Sequence, residues 1–261
     1  MTKLPAALPF VLEREVLIRA PRPLVFSYFT DSARFARWWG AGSTIEGKVG
    51  GAVHIVYPGG SVASGTVLSL EPERRIVFSY GYEGEGKPIA PGGSRVTIEL
   101  AEVAEGTQLR LVHEIHDATV RDHHVQGWRY QLALFANAVA NELHAGAAQV
   151  VDGWFAAWNE PDEARRNALF AAVTTADVVS SDAFSALRGR GDLAGHVTAT
   201  RAHMPGVVVA RQGDVRHCQG MVLADWSLHT ADGRAVGGGR DVFELDPAGR
   251  IARVVGFWDE R

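Results

Sequence analysis

Between Val120 and His144 the apolar residues Trp128, Leu132, Phe135, Val139 and Leu143 recur at steps of three and four, the stripe of one long amphipathic helix. Ala145-Gly146 ends it, since glycine can take the left-handed position beyond a helix C-terminus. A second helical face begins at once, with Val150, Val151, Trp154, Phe155 and Trp158 on one side, and stops at Asn159-Glu160-Pro161. Two helices in succession, with strand-like segments before and after them, divide the chain. Its 261 residues suit two domains at the usual size of roughly 150 residues each, and the boundary is placed near Gly146, giving domains 1–146 and 147–261.

Composition narrows the function classes. Hydrophobic residues at 46% and charged residues at 21% give a chain able to bury a core, and exclude a disordered or collagenous one. A net charge of −4, with neither half basic, argues against nucleic-acid binding by phosphate neutralisation. The only lysines are Lys3, Lys48 and Lys87, and no basic run suits an anionic membrane. One cysteine, Cys218, excludes an internal disulfide and any zinc site needing two thiolates. The opening MTKLPAALPFVLERE is too short and Pro-interrupted for a signal peptide, and no stretch reaches the roughly 18 apolar residues of a membrane span. A cytoplasmic location is expected.

The first half reads as a strand at Val11–Ala20, a short helix from Pro21-Arg22-Pro23, and a second helix capped by Asp31 and reaching Trp38-Trp39. Strands follow at Ala52–Tyr57, Gly65–Leu70, Arg75–Tyr82, Arg95–Val103 and Thr107–Ile115. Alternation puts Val53, Ile55 and Tyr57 on one face, likewise Ile76, Phe78 and Tyr80, and Leu109, Leu111, His113 and Ile115. Those faces are expected to meet the helix bearing Trp128. In the second half, helices are read at Pro161–Ala172 and, capped by Asp192, at Asp192–Met204. Its strands are Asp177–Ser181, Val207–Gln212, Val215–Cys218, Met221–Thr230, Ala235–Leu245 and Ile251–Trp258.

The segments APRPLVFSYFTDSARFARWWG, VGGAVHIVYPGG, SGTVLSLEPERRIVFSYGY and RDHHVQGWRYQLALFANAVANE resemble the START-type (SRPBCC, helix-grip) superfamily, in the branch named after the activator of the heat-shock protein 90 ATPase. The resemblance spans about residues 12–145. It implies an antiparallel sheet around a long helix and an apolar cavity between them, for which Tyr57, Tyr80, His113 and Trp128 are the candidate lining. A satisfied core or edge histidine is the plain alternative for His113.

VDGWFAAWNEPDEARRNALF, LRGRGDLAGHV and the stretch ending VGGGRDVFELDPAGRIARVVGFWD resemble SnoaL-like members of the nuclear transport factor 2-like superfamily over about residues 148–259. The implied fold is an α+β cone. Its relatives include polyketide cyclases and ketosteroid isomerases. By that resemblance Asp182 stands where the catalytic base falls and Asp241 where the second acid falls, one carboxylate moving a proton on carbon and the other kept protonated as a donor. Ketosteroid isomerase is the standard illustration of that logic. The family's helix tyrosine falls at Trp154, which offers only an indole N–H. The alternative for the aspartates is a solvated loop for Asp182 and an ion pair with Arg240, Arg188 or another arginine for Asp241. Trp154, Trp158 and Trp226 are candidate ligand-pocket residues, and singly each is equally a core tryptophan.

A limonene-epoxide-hydrolase-like site is set aside, because MVLADW lacks the Arg-x-Asp element and Gly256 falls where the third residue belongs. Adjacent His123-His124 are expected on different helix faces, and His113 and His116 on different sides of a strand, so no metal site is expected. Gly237-Gly238-Gly239 lacks a dinucleotide-binding context and is read as a bulge or close backbone approach. No cofactor is called for. Two functions remain: cyclisation, isomerisation or dehydration of an apolar carbonyl compound by the Asp182/Asp241 pair, or binding of hydrophobic small molecules without turnover. Relatives of the second half often dimerise through the sheet, so a homodimer is the expectation.

Overall fold

The computed structural model describes residues 8–259, and the start of the segment considered for a signal peptide, residues 1–7, lies outside the described residues. By backbone proximity the chain divides into two compact units, Met1–Ala140 and Asn141–Arg261.

The first unit runs β1 (Phe10–Ile18), α1 (Arg22–Ser27), α2 (Ser32–Trp39), β2 (Thr44–Ile45), β3 (Ala52–Val56), β4 (Val62–Glu71), β5 (Arg75–Tyr82), β6 (Ser94–Val103) and β7 (Gly106–Ile115), then α3 (Ala118–Leu143). Its strands form one antiparallel sheet in the order β1-β7-β6-β5-β4-β3-β2. The first strand closes on the last, from Phe10 opposite Ile115 to Ile18 opposite Thr107. Pro21 precedes α1, and the Asp31 carboxylate accepts the Arg34 N–H at 3.0 Å to start α2. Along α3 the side chains of Trp128, Leu132, Phe135 and Val139 are buried, as the stripe predicts. Ile55, Ile76, Phe78, Leu109 and Leu111 of the sheet are likewise at most 1% exposed, and Trp128 meets His113 of β7 at 5.9 Å. Phe135 packs 5.0 Å from both Phe29 and Trp38, and the Tyr28 hydroxyl donates to the Ala138 carbonyl at 2.9 Å. Each such large apolar side chain contributes about 1.5–3 kcal/mol on burial. Charges such as Arg110, paired with Glu13 and Glu99, alternate onto the opposite face.

The second unit runs α4 (Ala147–Asn159), α5 (Glu163–Val173), β8 (Thr174–Ser181), β9 (Ala186–Arg188), α6 (Gly189–His203), β10 (Val208–Cys218), β11 (Met221–His229), β12 (Ala235–Leu245) and β13 (Ile251–Trp258). Its sheet has the order β10-β11-β12-β13-β8-β9, with β13 and β8 parallel and the other pairs antiparallel. Trp154 and Phe155 of α4, Phe170 of α5 and Leu193 and Val197 of α6 pack with Val222, Phe243, Leu245 and Val254 of the sheet into one core.

Three local expectations are corrected. Gly146 has φ −89°, not a left-handed conformation, and serves as the residue capping the start of α4. Helix α6 begins at Gly189, and Asp192 caps it from inside by accepting the Arg188 N–H at 3.0 Å. The two strands read at Val207–Gln212 and Val215–Cys218 are one strand, β10, with a register shift between Gln212 and Arg216 where Gly213 takes φ +64°. No helix among the described residues is long and apolar enough to cross a membrane.

Candidate functional site

Strand register brings the two aspartates together. Asp241 on β12 lies opposite Gly256 on β13 and Ala224 on β11, and alternation places it on the inner face with Phe243 and Leu245. Asp182 follows the last residue of β8, beside β13. A Cβ on Gly256 would lie 3.0 Å from Asp241 Oδ1 and 3.2 Å from Asp182 Cβ, so this glycine opens the space between the two side chains.

Each aspartate accepts from an indole. Trp226 Nε1 donates to Asp241 Oδ1 at 2.9 Å, and Trp258 Nε1 to Asp182 Oδ2 at 3.4 Å. The two indoles meet edge to face, 4.9 Å apart, and Phe184 stands 5.2 Å from Trp258. Gly239 is the reason Trp226 fits: a Cβ there would fall 2.6 Å from the indole and 2.3 Å from the Phe257 carbonyl oxygen. The close approach expected of the Gly237-Gly238-Gly239 run is therefore made at its third residue.

The environments of the two carboxyls differ. Asp241 is 8% exposed. Burial, helped by the nearby charge of Asp182 and opposed by the Trp226 hydrogen bond, pushes its pKa up to about 7. Its neighbour Arg240 points to the other face and pairs with Asp225 at 2.7 Å, so Asp241 is not held in that ion pair. Asp182 is half-buried; its Oδ1 accepts the Phe184 N–H at 2.8 Å and the Ser185 hydroxyl at 3.0 Å.

Of the tryptophans named from sequence, Trp226 touches an aspartate. Trp154, 2% exposed, packs on Phe170 at 5.4 Å and Phe243 at 5.9 Å. Trp158 packs against Trp154 at 6.2 Å and His196 at 6.0 Å. Trp258 and Phe184, 36% and 75% exposed, stand at Asp182 and are not among the expected site residues. The family pattern that singles out Asp182 carries no sign of a partner 76 residues away.

In the first unit Tyr57, Tyr80, His113 and Trp128 form one packed cluster. Trp128 Nε1 donates to His113 Nδ1 at 3.0 Å, which leaves the proton on Nε2 to be given to Ser94 Oγ at 2.8 Å; Ser94 in turn donates to the Tyr80 carbonyl at 2.8 Å. Fully buried, His113 is held neutral, with burial and then His124 lowering its pKa to about 3. The Tyr57 and Tyr80 hydroxyls share a 2.6 Å hydrogen bond, and burial pushes both up. A cavity of about 270 Å³ lies beside this cluster and is lined by Ser61, Tyr82, Lys87, Pro88, His123, His124 and Gly127. His123, exposed, and His124, half-buried, both line this cavity. Among the described residues no group of three or more His, Cys, Asp or Glu side chains is placed to hold a metal ion.

Residues 19–140 match the sequence profile of the family described as activator of Hsp90 ATPase homolog 1-like protein. Among solved structures the chain is similar to a putative isomerase of the SnoaL-like family from Agrobacterium tumefaciens, 32% identical, covering 46% of this chain and 99% of that one, with a TM-score of 0.42. An AHSA1-like protein from Rhizobium etli is also 32% identical, over 51% of this chain and 85% of that one, with a TM-score of 0.42. CalU16 from Micromonospora echinospora is 28% identical over 51% and 76%, with a TM-score of 0.39. No curated protein matches. On the profile match, residues 19–140 belong to the activator of Hsp90 ATPase homolog 1-like family.

Proposed function

We propose that this chain binds apolar small molecules and that its second unit performs carboxylate acid/base chemistry on a carbonyl-containing one, of the isomerase, cyclase or dehydratase kind. The observation that carries the reading is Asp241: a buried carboxyl with its pKa near 7, without an arginine partner at its flank, across Gly256 from a second aspartate. A carboxyl of that kind still holds its proton in weakly acidic to neutral solution and can give it to a developing enolate oxygen. Asp182, half-exposed at the mouth, is the acceptor of the proton leaving the carbon next to the carbonyl, and returning that proton to another carbon completes an isomerisation. Trp226, Trp258 and Phe184 supply an apolar frame for a flat substrate.

The test is turnover of activated ketones. Asp182→Asn removes the acceptor and is expected to depress turnover by roughly 10²–10⁴-fold, the usual range for general-base catalysis. Asp241→Asn keeps a donor and costs less, while Asp241→Leu costs more than Asp241→Asn. Equal activity in all three variants rejects the assignment.

A second reading, binding without turnover, is favoured by the satisfied state of Asp182, whose Oδ1 and Oδ2 already accept from Phe184, Ser185 and Trp258, and by the indole of Trp154 in place of a tyrosine hydroxyl. Under it, ligand affinity survives Asp182→Asn and no substrate is consumed. The homodimer expected through the second sheet belongs to either reading and is checked by light scattering.

A further inference from the structure

The cavity of the first unit differs in chemistry from the mouth around Asp182 and Asp241. None of its seven lining residues carries a carboxylate, while Lys87, His123 and His124 bring basic groups and Tyr82 and Ser61 bring hydroxyls. Lys87 is one of three lysines in the chain. Its connection between β5 and β6 is anchored where Tyr82 N–H donates to the Ile89 carbonyl at 2.9 Å, with Ile89 1% exposed. The loop is therefore fixed at the base from which Lys87 reaches the cavity.

His124 has a defined tautomer. Its Nδ1 donates to the Val120 carbonyl at 2.7 Å, so Nε2 carries the lone pair and takes the Tyr82 hydroxyl at 3.3 Å. That last bond is long, and a ligand group that competes for Nε2 displaces little. The rings of Tyr82 and His124, both lining the cavity, stand 6.0 Å apart and tilted by 43°, so one wall is aromatic.

We infer that this cavity takes a small apolar carboxylic acid, with its carboxyl group between His124, Tyr82 and Lys87 and its hydrocarbon body on the aromatic wall. The inference deepens the reading of the chain as a binder of apolar small molecules and rests on the first unit alone. The acid arrives ionised near neutral pH, so on binding a solvent hydronium O–H bond breaks, leaving water, and its proton forms an N–H bond at His124 Nε2, which turns the lone pair facing the carboxylate into a donor. The carboxylate also accepts from the Tyr82 hydroxyl and lies opposite the Lys87 ammonium. At about 270 Å³ the cavity lies just under the roughly 300–1,000 Å³ of pockets for drug-sized ligands, which suits a one- or two-ring acid.

The experiment is calorimetric titration of the full chain with 2-naphthoate and with its methyl ester, which keeps the ring system and loses the acid. The acid is expected to bind at one site and at least about tenfold tighter than the ester, the scale of one charge-assisted hydrogen bond. Lys87→Met, at an exposed position, and His124→Gln should each erase most of that preference and leave ester binding in place. Asp241→Leu, in the other unit, should leave naphthoate affinity unchanged. Equal affinity for acid and ester overturns the acid preference while leaving apolar-ligand binding standing; absence of binding by both removes the pocket reading as well. Naphthoate binding that survives Lys87→Met and His124→Gln but is lost in Asp241→Leu also overturns the inference, since the ligand would then sit in the second unit.

Discussion

Asp241 carries a cost that its own chemistry explains. In an unfolded chain its carboxyl titrates near 3.8, and in the folded protein near 7, so between those values the native state holds a proton that the unfolded state has lost. Stability contributed by this residue is complete below about pH 3.8, declines as pH rises, and is fully lost above about pH 7. Asn has the same shape, never ionises, and its amide oxygen still accepts from Trp226. Asp241→Asn is therefore expected to raise the thermal midpoint at pH 8 while leaving it nearly unchanged at pH 4, with a gain on the order of 1–3 kcal/mol once solvent relaxation is allowed for. A variant equally or less stable at pH 8 contradicts the buried, proton-holding carboxyl. His113 works in the opposite direction: its pKa falls from 6.5 to about 3 on folding, so stability is fully present above 6.5 and drains away as pH drops toward 3. Replacing Trp128 by Phe strips the N–H that satisfies His113 Nδ1 inside the core, and should cost about 1–3 kcal/mol in denaturant unfolding at pH 7.

At the level of elements, the site depends on glycines where strands carry no side chain. Gly256→Ala places a methyl 3.0 Å from Asp241 Oδ1 and 3.2 Å from Asp182 Cβ. It is expected to change the pH profile of turnover, by pressing the carboxyls apart, more than it changes folding; a variant with an unaltered profile argues against the pair acting together. Gly239→Ala meets the Phe257 carbonyl and the Trp226 indole at still shorter range and should destabilise the second unit, as seen in its unfolding midpoint. These same elements show what a sequence reveals. Bounds of β5, β12 and β13 follow the reading because alternation there is long and framed by Gly, Pro and Asp. Strands β2 and β9, of two and three residues, are too short to show any period and were not anticipated. Gly189 and Gly191, poor helix formers that tertiary packing overrides, hide the start of α6. Asp182 and Asp241 were reached through a family pattern, whereas their partners Trp258 and Trp226 depend on register across three strands, and the cavity at Lys87, Tyr82 and His124 depends on where a loop folds back. Neither lies within reach of a window a dozen residues wide.

At the scale of the whole chain, the strands form two sheets with separate strand orders, and among the described residues no strand of one sheet pairs with the other. The core of the second unit contains residues from Ala147 onward and none from the first unit. That is the organisation of two domains, each with its own core. We propose that they are independently folded and separable near Gly146. Residues 1–146 and 147–261, expressed apart, should each give a single cooperative transition in denaturant, with a slope in proportion to length. Asp241→Asn should then raise the midpoint of the second fragment at pH 8 as it does in the full chain, and Trp128→Phe should lower only the first. If both fragments aggregate or melt without a transition, an apolar face that each hides in the full chain is indicated, and the boundary at Gly146 is wrong as a unit of folding.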